Sequence, residues 1–473
     1  MRIFNTLTKE LEDFVPIDGA HVRMYTCGPT VYNFAHIGNF RAYVFEDLLR
    51  RYIKYSGYSI TQVMNLTDVD DKTIKGAIAS GMNLNDYTRT YKDAFFADLK
   101  VLNVEQAEHY PAATDHIPEM IAIIQKLLDK GYAYKSDDGS VYFSIAKFPA
   151  YGKLAHLDMS GLRAGARVAQ DEYEKENAAD FALWKAWDVN DGDVVWDAPW
   201  GKGRPGWHIE CSAMSTKYLG ETFDLHTGGV DNIFPHHEDE IAQSEAASGR
   251  QFVKYWMHCA HLVVDGRKMS KSLGNFYTLR DVISRGYTGR DIRYILMSAH
   301  YRQSLNFTFE ALDAARSSLG RVDDFSARLR ELAGSAIPAG DFRTSLPRWA
   351  TVADVSFRQA LDNDLNISES LAAVFDMIHE GNRMLDEQLK KGEDVALPCA
   401  SVLALLKDFD RVLGYLEKAE TQAGEEVLQL VRDREAARGA KNWAESDRIR
   451  DRLAALGWEI RDSKAGAKLV RMQ

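Results

Sequence analysis

Cysteine is scarce in this chain: the only four, Cys27, Cys211, Cys259 and Cys399, are scattered over 473 residues. Cysteines so few and so far apart do not form the framework of a disulfide-stabilised secreted domain. They fit a reducing compartment better, where thiols stay free and can bind a metal. We therefore expect a cytoplasmic protein.

Long apolar runs and an excess of positive charge are also missing. No segment approaches the roughly 20 apolar residues of a membrane span, and the N-terminal residues lack the apolar core of a signal peptide. We expect no membrane association and, because no long unpaired apolar face is evident, a monomer. The net charge of −11 disfavours a general nucleic-acid binder. Residues 432–473, however, hold 11 Lys/Arg against 7 Asp/Glu, a net +4 that leaves −15 elsewhere and is compatible with binding one particular RNA.

The first informative stretch is residues 27–39, which read C-G-P-T-V-Y-N-F-A-H-I-G-N. It lies between a predicted strand at 22–25 and residues 39–56, whose apolar side chains share one helical face. A strand, a glycine turn and a helix start form the first half of a nucleotide-binding α/β unit, in which a phosphate meets free backbone N–H groups. His36 and Asn39 would lie beside that phosphate. Taken alone, a glycine-bearing turn with a surface histidine explains the motif equally simply.

The second informative stretch is K-M-S-K-S at residues 268–272, just after the turn 264–267. Two lysines three residues apart in a Ser/Gly loop suit the charge that builds on a departing pyrophosphate, although a solvated basic turn would look similar. Together, in this order, the two stretches resemble the class I aminoacyl-tRNA synthetases, whose signatures are H-I-G-H and K-M-S-K-S. Asn39 replaces the last histidine; both side chains donate hydrogen bonds, but asparagine cannot become cationic. The resemblance implies ATP-dependent activation.

Between these stretches, residues 58–65 predict a second strand followed by three aspartates, Asp68, Asp70 and Asp71. Such a position suits ligand binding, but Asp70 or Asp71 capping the next helix is an equally good interpretation. Thr67 is the residue here that we assign to a pocket. The pattern further predicts helices at 84–102 and 115–130, a hairpin at 133–144 and an irregular segment at 145–206.

A metal site is the next hypothesis. His236 and Glu240 stand four apart on one predicted helix, and Cys27 and Cys211 follow or precede elements at the same sheet edge. Two thiolates, an imidazole and a carboxylate suit tetrahedral zinc. Helix geometry does not choose between His236 and His237. On the residues alone, buried free cysteines beside a solvated acidic helix are the simpler interpretation.

Five longer motifs carry a closer resemblance, to the cysteinyl-tRNA synthetases. They are C-G-P-T-V-Y-x-x-x-H-I-G-N, N-L-T-D-V-D-D-K, P-G-W-H-I-E-C-S-A-M, H-T-G-G-V-D-x-x-F-P-H-H-E-D-E and K-M-S-K-S-L-G-N. The similarity is specific from about residue 6 to 302 and looser beyond. It implies one zinc ion per chain, held by Cys27, Cys211, His236 and Glu240.

The resemblance also implies roles for other residues. The residues that it implies for catalysis are His36, Asn39, Lys268 and Lys271. Those for ATP, which would carry Mg²⁺, are Gly28, Thr30, His36, Gly38, Asn39, Gly228, Gly229, Asp231, Lys268 and Lys271, with Asp231 as a ribose contact. Those for cysteine are Cys27, Gly28, Thr67, Trp207 and His226. For Trp207 and His226, ordinary loop and strand packing is the alternative.

The expected fold is α/β: a Rossmann-like parallel-sheet catalytic domain split by an insertion, followed by a helical bundle and a small C-terminal domain. Beyond about residue 288 the pattern is helical to the end, with helices at 310–334, 349–361, 367–391, 399–418, 425–438 and 442–456. The predicted domains are 1–114 (catalytic, first half), 115–200 (inserted connective region), 201–250 (catalytic, second half), 251–305 (K-M-S-K-S region contacting the tRNA stem), 306–420 (helical bundle) and 425–473 (anticodon recognition).

The implied activity is that of a cysteine–tRNA ligase, with ATP, L-cysteine and tRNA(Cys) as partners. Two alternatives share most motifs: a ligase that joins activated cysteine to an amino sugar, and a catalytically silent zinc- or RNA-binding paralogue. The basic tail favours the first activity, since Arg448 and Arg452 share a helix face and Trp443 could stack on a base. Packing of Trp443 in a small helical core is the alternative.

Overall fold

The computed structural model describes residues 1–157, 180–416, 425–440, 442–456, 458–463 and 466–471. The strands of the described part are β1 Arg2–Asn5, β2 Glu10–Asp13, β3 His21–Thr26, β4 Ser59–Met64, β5 Ala133–Lys135, β6 Val141–Phe143, β7 Phe181–Ala186, β8 Trp196–Ala198, β9 Gly201–Pro205, β10 Phe223–Gly229, β11 Val253–Cys259, β12 Leu262–Val264, β13 Arg267–Lys268, β14 Leu305–Phe307, β15 Trp458–Ser463 and β16 Gly466–Arg471. Its α-helices are α1 Ile37–Tyr55, α2 Asp71–Ala79, α3 Leu84–Val101, α4 Ile117–Asp129, α5 Trp207–Leu219, α6 Glu238–Ser248, α7 Leu279–Ile283, α8 Gly289–Met297, α9 Phe309–Ala333, α10 Arg348–Asp362, α11 Ile367–Lys390, α12 Ala396–Leu413, α13 Glu425–Gly439 and α14 Trp443–Ala455. The chain divides into two compact units, Met1–Leu416 and Glu417–Gln473.

The first unit is organised around a parallel sheet with strand order β11-β10-β3-β4. These strands are nearly continuous buried runs, as expected for a parallel sheet covered on both faces. The chain runs outward from β3 to β4 on one side and from β10 to β11 on the other. The carboxyl ends of β3 and β10 therefore flank a topological switch point, where open α/β sheets bind their ligands. The predicted α/β catalytic fold is confirmed.

Helix α1 packs on this sheet as the apolar periodicity predicted. Its buried positions include Phe40, Val44, Leu48 and Leu49, all in the main core. The helix begins at Ile37, two residues before the predicted start, because His36 caps it. The residues of the first motif thus form the N-terminal turn of a helix that is anchored by its apolar face.

The inserted region contains a five-stranded antiparallel sheet with order β5-β6-β7-β9-β8. The hairpin predicted at 133–144 is present, but the irregular structure predicted for 145–206 is wrong, because β7, β8 and β9 lie there. Residues 158–179 of that prediction lie outside the described residues. Gly203 in β9 and Gly206, which follows β9 and caps α5, are glycines because the backbone of β7 lies very close to both. A Cβ atom would lie 2.1 Å from the Lys185 carbonyl oxygen at Gly203, and 2.0 Å from the Ala182 carbonyl oxygen at Gly206.

Helices α9 to α12 form the bundle that follows. The predicted segments 310–334, 349–361 and 367–391 agree with α9, α10 and α11 within one residue. The bundle core includes Phe325, Phe357 and Phe409, the last two stacked at 4.0 Å between ring centroids. No described helix is long and apolar enough to cross a membrane.

The second unit begins, in its described part, with the two predicted helices α13 and α14. It then ends in an antiparallel hairpin of β15 and β16, so the prediction of helix to the end of the chain is wrong. Its small core contains Leu430, Leu453 and Trp458. Trp443 is not part of that core, because 58% of it is exposed.

One buried acid on α1 makes stability depend on pH. Glu46 accepts a hydrogen bond from the Thr227 hydroxyl at 3.0 Å, whereas its Oε2 has no partner among the described residues. Burial raises the pKa of Glu46 to about 8. Between its ordinary pKa and about 8, the folded state keeps a proton that the unfolded chain has lost, so stability falls as pH rises.

We therefore expect Glu46→Gln to stabilise the protein relative to wild type increasingly from pH 5 to pH 9, by up to ~5 kcal/mol. Thermal unfolding of both proteins at each pH measures this. Glu310→Gln, which alters an exposed glutamate on α9, should show no such trend. Parallel pH profiles of wild type and Glu46→Gln would contradict the prediction.

Candidate active site and metal cluster

The carboxyl ends of β3 and β10 place two glycine-bearing turns side by side. Cys27 and Gly28 follow β3, and the Cys27 N–H donates to the Thr227 carbonyl on β10 at 3.3 Å. Gly28 allows a very close approach, because a Cβ there would lie 1.7 Å from the carbonyl oxygen of Asn65. At Gly228 a Cβ would lie 2.8 Å from the His237 ring. These glycines therefore let the turns after β3 and β10 pack closely against Asn65 and His237 at the switch point.

Two adjoining cavities open at this point. The first, of about 550 Å³, is lined by residues that include Gly28, His36, Gly38, Asn39, Gly229, Asp231, Lys268 and Met269. The second, of about 350 Å³, is lined by residues that include Cys27, Thr30, Thr67, Trp207, Cys211 and His236. Tyr43 and Asn232 border both. A polar cavity beside the start of α1 suits a nucleotide, and the second cavity suits a small substrate that reaches the cysteines.

His36 and Asn39 form a reciprocal cap at the start of α1. The Asn39 N–H donates to His36 Nδ1 at 3.2 Å, and the His36 N–H donates to Asn39 Oδ1 at 3.1 Å. Because Nδ1 is the acceptor, the proton of the neutral His36 ring lies on Nε2. Asn39 likewise uses its oxygen in the cap and keeps its NH₂ group as a donor. Asparagine can therefore replace the signature histidine, because its side-chain oxygen takes part in the helix cap and its NH₂ group remains available as a hydrogen-bond donor.

The K-M-S-K-S loop lies against the same helix start. Lys268 ends β13 and lines the first cavity, and a Cβ on Gly38 would lie 3.1 Å from the Met269 methyl group. After the loop, the Tyr277 carbonyl accepts the Ile37 N–H at 3.0 Å. Lys271 begins a short 3-10 turn, Lys271–Leu273, but its side chain lies outside the described part of the structure. The two signature stretches, some 230 residues apart, therefore meet at one cavity.

The four proposed metal ligands converge. The ligand atoms of Cys27, Cys211, His236 and Glu240 lie within 4.8 Å of one another. His236 Nε2 lies 3.5 Å from Cys211 Sγ and 3.1 Å from Glu240 Oε1. A second set, Cys27, His226, His237 and Glu240, meets the same distance criterion.

The hydrogen bonds distinguish the two sets. Glu240 Oε2 accepts a hydrogen bond from His226 Nε2 at 3.0 Å, whereas no described residue hydrogen-bonds to Oε1, the oxygen nearest His236. His237 contacts Cys27 through Nε2 and His258 through Nδ1, so both of its nitrogens are engaged. Glu240 Oε1 is buried, and its close contact is His236 Nε2 of the first set at 3.1 Å, so the geometry favours the first set as the ligands of a cation.

The electrostatics of the cluster are those of an ion-binding site. Burial lowers the pKa of His236, but Cys211 and Glu240 outweigh burial and raise it to about 10. Burial raises the pKa of Glu240, but His226 and His236 outweigh it and lower it to about 2. Burial raises the pKa of the Cys211 thiol well above its usual value. A divalent cation would displace the protons of the thiols and of His236, as metal binding to such ligands requires.

Comparisons with known proteins agree with this geometry. Residues 13–317 match the family model described as the tRNA synthetases class I (C) catalytic domain, 356–417 match the DALR domain, and 421–468 match the cysteinyl-tRNA ligase anticodon binding domain. The cysteine–tRNA ligase of Protochlamydia amoebophila is 52% identical over 100% of this chain and 98% of that protein. The chain belongs to the cysteine–tRNA ligase family. The Brachyspira hyodysenteriae cysteine–tRNA ligase is 50% identical over 99% of this chain and 98% of its own length.

The fold of this cysteine–tRNA ligase family member is also that of more distant class I synthetases. The Mycobacterium tuberculosis methionyl-tRNA synthetase in complex with methionyl-adenylate aligns with a TM-score of 0.63 at 16% identity, covering 83% of this chain and 90% of that one. At that identity the likeness concerns the fold alone.

Within this family member, the residues predicted for the cysteine pocket occupy different positions. Thr67 lines the second cavity and donates to Glu210 Oε2 at 2.9 Å. Trp207 is 40% exposed and stacks on the His236 ring with centroids 4.3 Å apart. His226 borders neither cavity; it is fully buried, and its Nε2 lies 3.0 Å from Glu240 Oε2. Gly228 likewise lies beneath the cavities, against His237.

The three aspartates after β4 are structural. Asp70 caps α2, accepting the Thr73 N–H at 2.7 Å. Asp68 is buried and pairs with Lys92 at 2.6 Å, and Asp71 pairs with Lys185 and Arg204. The capping interpretation is therefore confirmed for Asp70, and Asp71 and Asp68 stabilise the packing around it.

Some residues at the site were not among those predicted from the sequence. Tyr43 reaches both cavities from the second turn of α1, where it looked like one more apolar helix residue. Asn232 lines the second cavity and directly follows Asp231, at a position that the motif H-T-G-G-V-D-x-x leaves unspecified. Glu210, fully buried beneath Thr67, has one oxygen without a hydrogen-bond partner among the described residues. Only the tertiary structure directs these side chains to the site.

The cap at His36 and Asn39 yields a prediction that separates structure from binding. Asn39→Asp keeps an oxygen that accepts the His36 N–H but replaces the NH₂ donor with a negative charge beside the nucleotide cavity. We expect an unchanged melting temperature and an ATP KM raised about 10–100-fold, which corresponds to ~1.4–2.7 kcal/mol of repulsion between close like charges. Cysteine-dependent ATP–pyrophosphate exchange measures the KM, with Asn39→Gln, which retains the amide, as control. A lower melting temperature with unchanged ATP binding would contradict the assignment.

Proposed function

We propose that this chain activates cysteine with ATP and transfers it to the 3′ end of tRNA(Cys). The observation that carries the proposal is the cluster of Cys27, Cys211, His236 and Glu240, three of which (Cys27, Cys211 and His236) line a cavity that adjoins the H-I-G-N and K-M-S-K-S cavity. Residues suited to binding a thiol thus lie beside residues suited to binding a nucleotide. The 50% identity to cysteine–tRNA ligases over nearly the full chain supports the same activity.

In the first step, the cysteine carboxylate attacks the α-phosphorus of ATP, the bond to the bridging oxygen breaks, and pyrophosphate leaves. We assign His36, Asn39, Lys268 and Lys271 to stabilising the charge that moves onto the phosphates. Mg²⁺ is the expected counter-ion of ATP. Asp231 is assigned to the ribose, and the other residues assigned to ATP are Gly28, Thr30, Gly38, Gly228 and Gly229.

In the second step, a hydroxyl of the terminal tRNA ribose attacks the adenylate carbonyl carbon. An ester forms and AMP leaves with the electrons of the acyl–phosphate bond. No covalent enzyme intermediate is needed. We assign the second unit to anticodon recognition; the exposed Trp443 and the exposed Arg448 suit a single-stranded RNA loop. The match of residues 421–468 to an anticodon-binding model favours tRNA over an amino sugar as the acceptor.

The residues present fit one zinc ion. Two cysteines, a histidine and a buried carboxylate form a ligand set typical of Zn²⁺. Bound there, zinc would supply a soft Lewis acid that takes a thiolate in preference to a hydroxyl. His226 fixes the Glu240 carboxylate, and Trp207 stacks on His236, so the chain itself orients two of the ligands. Thr67 and Gly28 border the space that the substrate would occupy.

This arrangement explains how serine would be rejected. An apolar pocket distinguishes ligands that differ by one small group by only ~1–3 kcal/mol. Coordination of the substrate sulfur by the metal distinguishes sulfur from oxygen directly, so a separate editing site is not required to reject serine. We propose the cytoplasm as the compartment, because the thiols must stay reduced.

Two assays test the proposal. The chain should catalyse cysteine-dependent ATP–pyrophosphate exchange and should charge tRNA(Cys) with cysteine. Exchange without charging would favour a different acceptor, and neither activity would favour a silent paralogue. A chelated or metal-replaced enzyme that still rejected serine as strongly as the zinc enzyme would overturn the selectivity argument.

A further inference from the structure

Cys27 lies at the end of a buried chain of hydrogen bonds that the proposed reaction does not use. Its Sγ lies 3.2 Å from His237 Nε2, and His237 Nδ1 lies 2.8 Å from His258 Nε2. His258 Nδ1 in turn lies 2.7 Å from the Thr6 hydroxyl. His237 and His258 are 0% and 4% exposed, so the bond between the two rings is shielded from water, whereas Cys27 and Thr6 at the ends are half-buried. This series of hydrogen bonds runs from Thr6 in the N-terminal segment, through His258 on β11 and then His237, to Cys27, a proposed metal ligand.

The geometry couples the direction of these bonds. Two imidazole nitrogens 2.8 Å apart share one proton, so one of them donates and the other accepts. If His237 Nε2 carries its proton toward Cys27, then Nδ1 must accept from His258 Nε2, and His258 Nδ1 must accept from the Thr6 hydroxyl. A thiolate sulfur can only accept, so metal-bound Cys27 fixes this direction for all three bonds.

We propose that Thr6 and His258 hold His237 in the tautomer that donates a hydrogen bond to the Cys27 sulfur, and that this bond tunes Cys27 as a metal ligand. The proposal rests on the proposed metal set and makes His237 a positioning residue rather than a ligand. It gives a role to the histidine that the helix spacing alone did not distinguish from His236.

The proposed ligand His236 is also held by a chain of hydrogen-bonding side chains. His236 Nδ1 lies 2.8 Å from His208 Nδ1, and His208 Nε2 lies 3.3 Å from Asp239 Oδ2. Such partners of metal ligands set the ligand tautomer and contribute about 10–100-fold to metal affinity. The hydrogen-bond chain to Cys27 ends at the neutral Thr6 hydroxyl, whereas the chain to His236 ends at the Asp239 carboxylate. An uncharged substitution at Thr6 can therefore break the first chain without leaving a buried charge.

Thr6→Val is the sharpest test, because it removes the hydroxyl, keeps the side-chain shape and leaves the Thr6 N–H bond to the Trp256 carbonyl intact. We expect one Co²⁺ or Zn²⁺ per chain as in wild type, but zinc affinity about 10–100-fold weaker by chelator competition. In the Co²⁺-substituted protein, the thiolate-to-metal charge-transfer band should move to longer wavelength, because sulfur loses a hydrogen bond. His258→Phe should behave in the same way.

Two conservative variants should rescue these properties. Thr6→Ser keeps the hydroxyl, and in His258→Gln the amide can accept from Thr6 and donate to His237. Thr61→Val is the matched control, since it removes another Thr–His hydrogen bond, the 3.0 Å bond to His21 Nε2, outside the cluster. It should change neither the band nor the affinity.

The outcomes are separable. Unchanged affinity and band in Thr6→Val and His258→Phe would overturn the proposed hydrogen-bond role. Loss of the bound ion from His237→Gln, with retention in Cys211→Ser, would overturn it as well, because His237 would then be a ligand. A wild-type protein that binds neither Co²⁺ nor Zn²⁺ would instead refute the metal site of the proposed function.

Discussion

Replacing Cys211 by serine is expected to remove zinc from the chain and to abolish cysteine activation. Serine has nearly the same shape, but its hydroxyl does not ionise near neutral pH and is a hard ligand. The change therefore removes one donor of the cluster without opening a cavity. Loss of a residue that only hydrogen-bonds to a metal ligand already lowers metal affinity about 10–100-fold. We therefore expect loss of the ligand Cys211 to lower zinc affinity by more than about 100-fold. Cysteine-dependent ATP–pyrophosphate exchange should fall at least as far.

The measurements are metal content per chain and ATP–pyrophosphate exchange with cysteine and with serine. Residual selectivity should fall to the about 10–200-fold that a shaped pocket provides. Cys399→Ala is the matched control, because Cys399 is also a buried free thiol but lies on α12 in the bundle. Full zinc content and unchanged selectivity in Cys211→Ser would refute the metal site.

Replacing Lys271 by alanine should give the second large effect. Lys271 is assigned to the phosphates, and the loop that carries it meets the start of α1 through Met269 and Gly38. Removal of one preorganised group that stabilises transition-state charge typically lowers the rate constant about 10²–10³-fold. We expect such a loss in the adenylation rate with little change in cysteine binding.

Single-turnover formation of cysteinyl-adenylate and equilibrium binding of cysteine separate the two quantities. Lys391→Ala, an exposed lysine at the end of α11, is the control and should match wild type. Equal losses in adenylation rate and cysteine affinity would contradict the role assigned to Lys271, because they would indicate a ground-state contact or a general distortion.

The elements that the sequence predicted well are those set by contacts within one segment. The periodic helices of the bundle agree within one residue at α9 to α11, because their apolar faces repeat every few residues. The predicted proximity of His236 and Glu240 depends on a spacing of only four residues, and the two side chains lie 3.1 Å apart. Such contacts are encoded in neighbouring residues.

Short strands were predicted less well. Strand β9 contains Gly201 and Gly203, which resemble loop residues, and the requirement for glycine at position 203 comes from the Lys185 carbonyl oxygen on the neighbouring strand β7. The terminal hairpin of β15 and β16 was read as a continuation of the helices. In both cases the decisive interaction is with a distant or opposite strand, which local periodicity does not contain.

The sequence by itself determined the α/β class, the two nucleotide-binding stretches and the residue types able to hold a soft metal. It did not decide between His236 and His237, and it placed His226 on the pocket rather than behind Glu240. Those choices were made by the tertiary structure, since the order β11-β10-β3-β4 brings the ends of β3 and β10 together and the start of α6 beside them. Which oxygen of Glu240 contacts His226 and which faces His236 then depends on packing between segments far apart in the chain, and no local pattern records it.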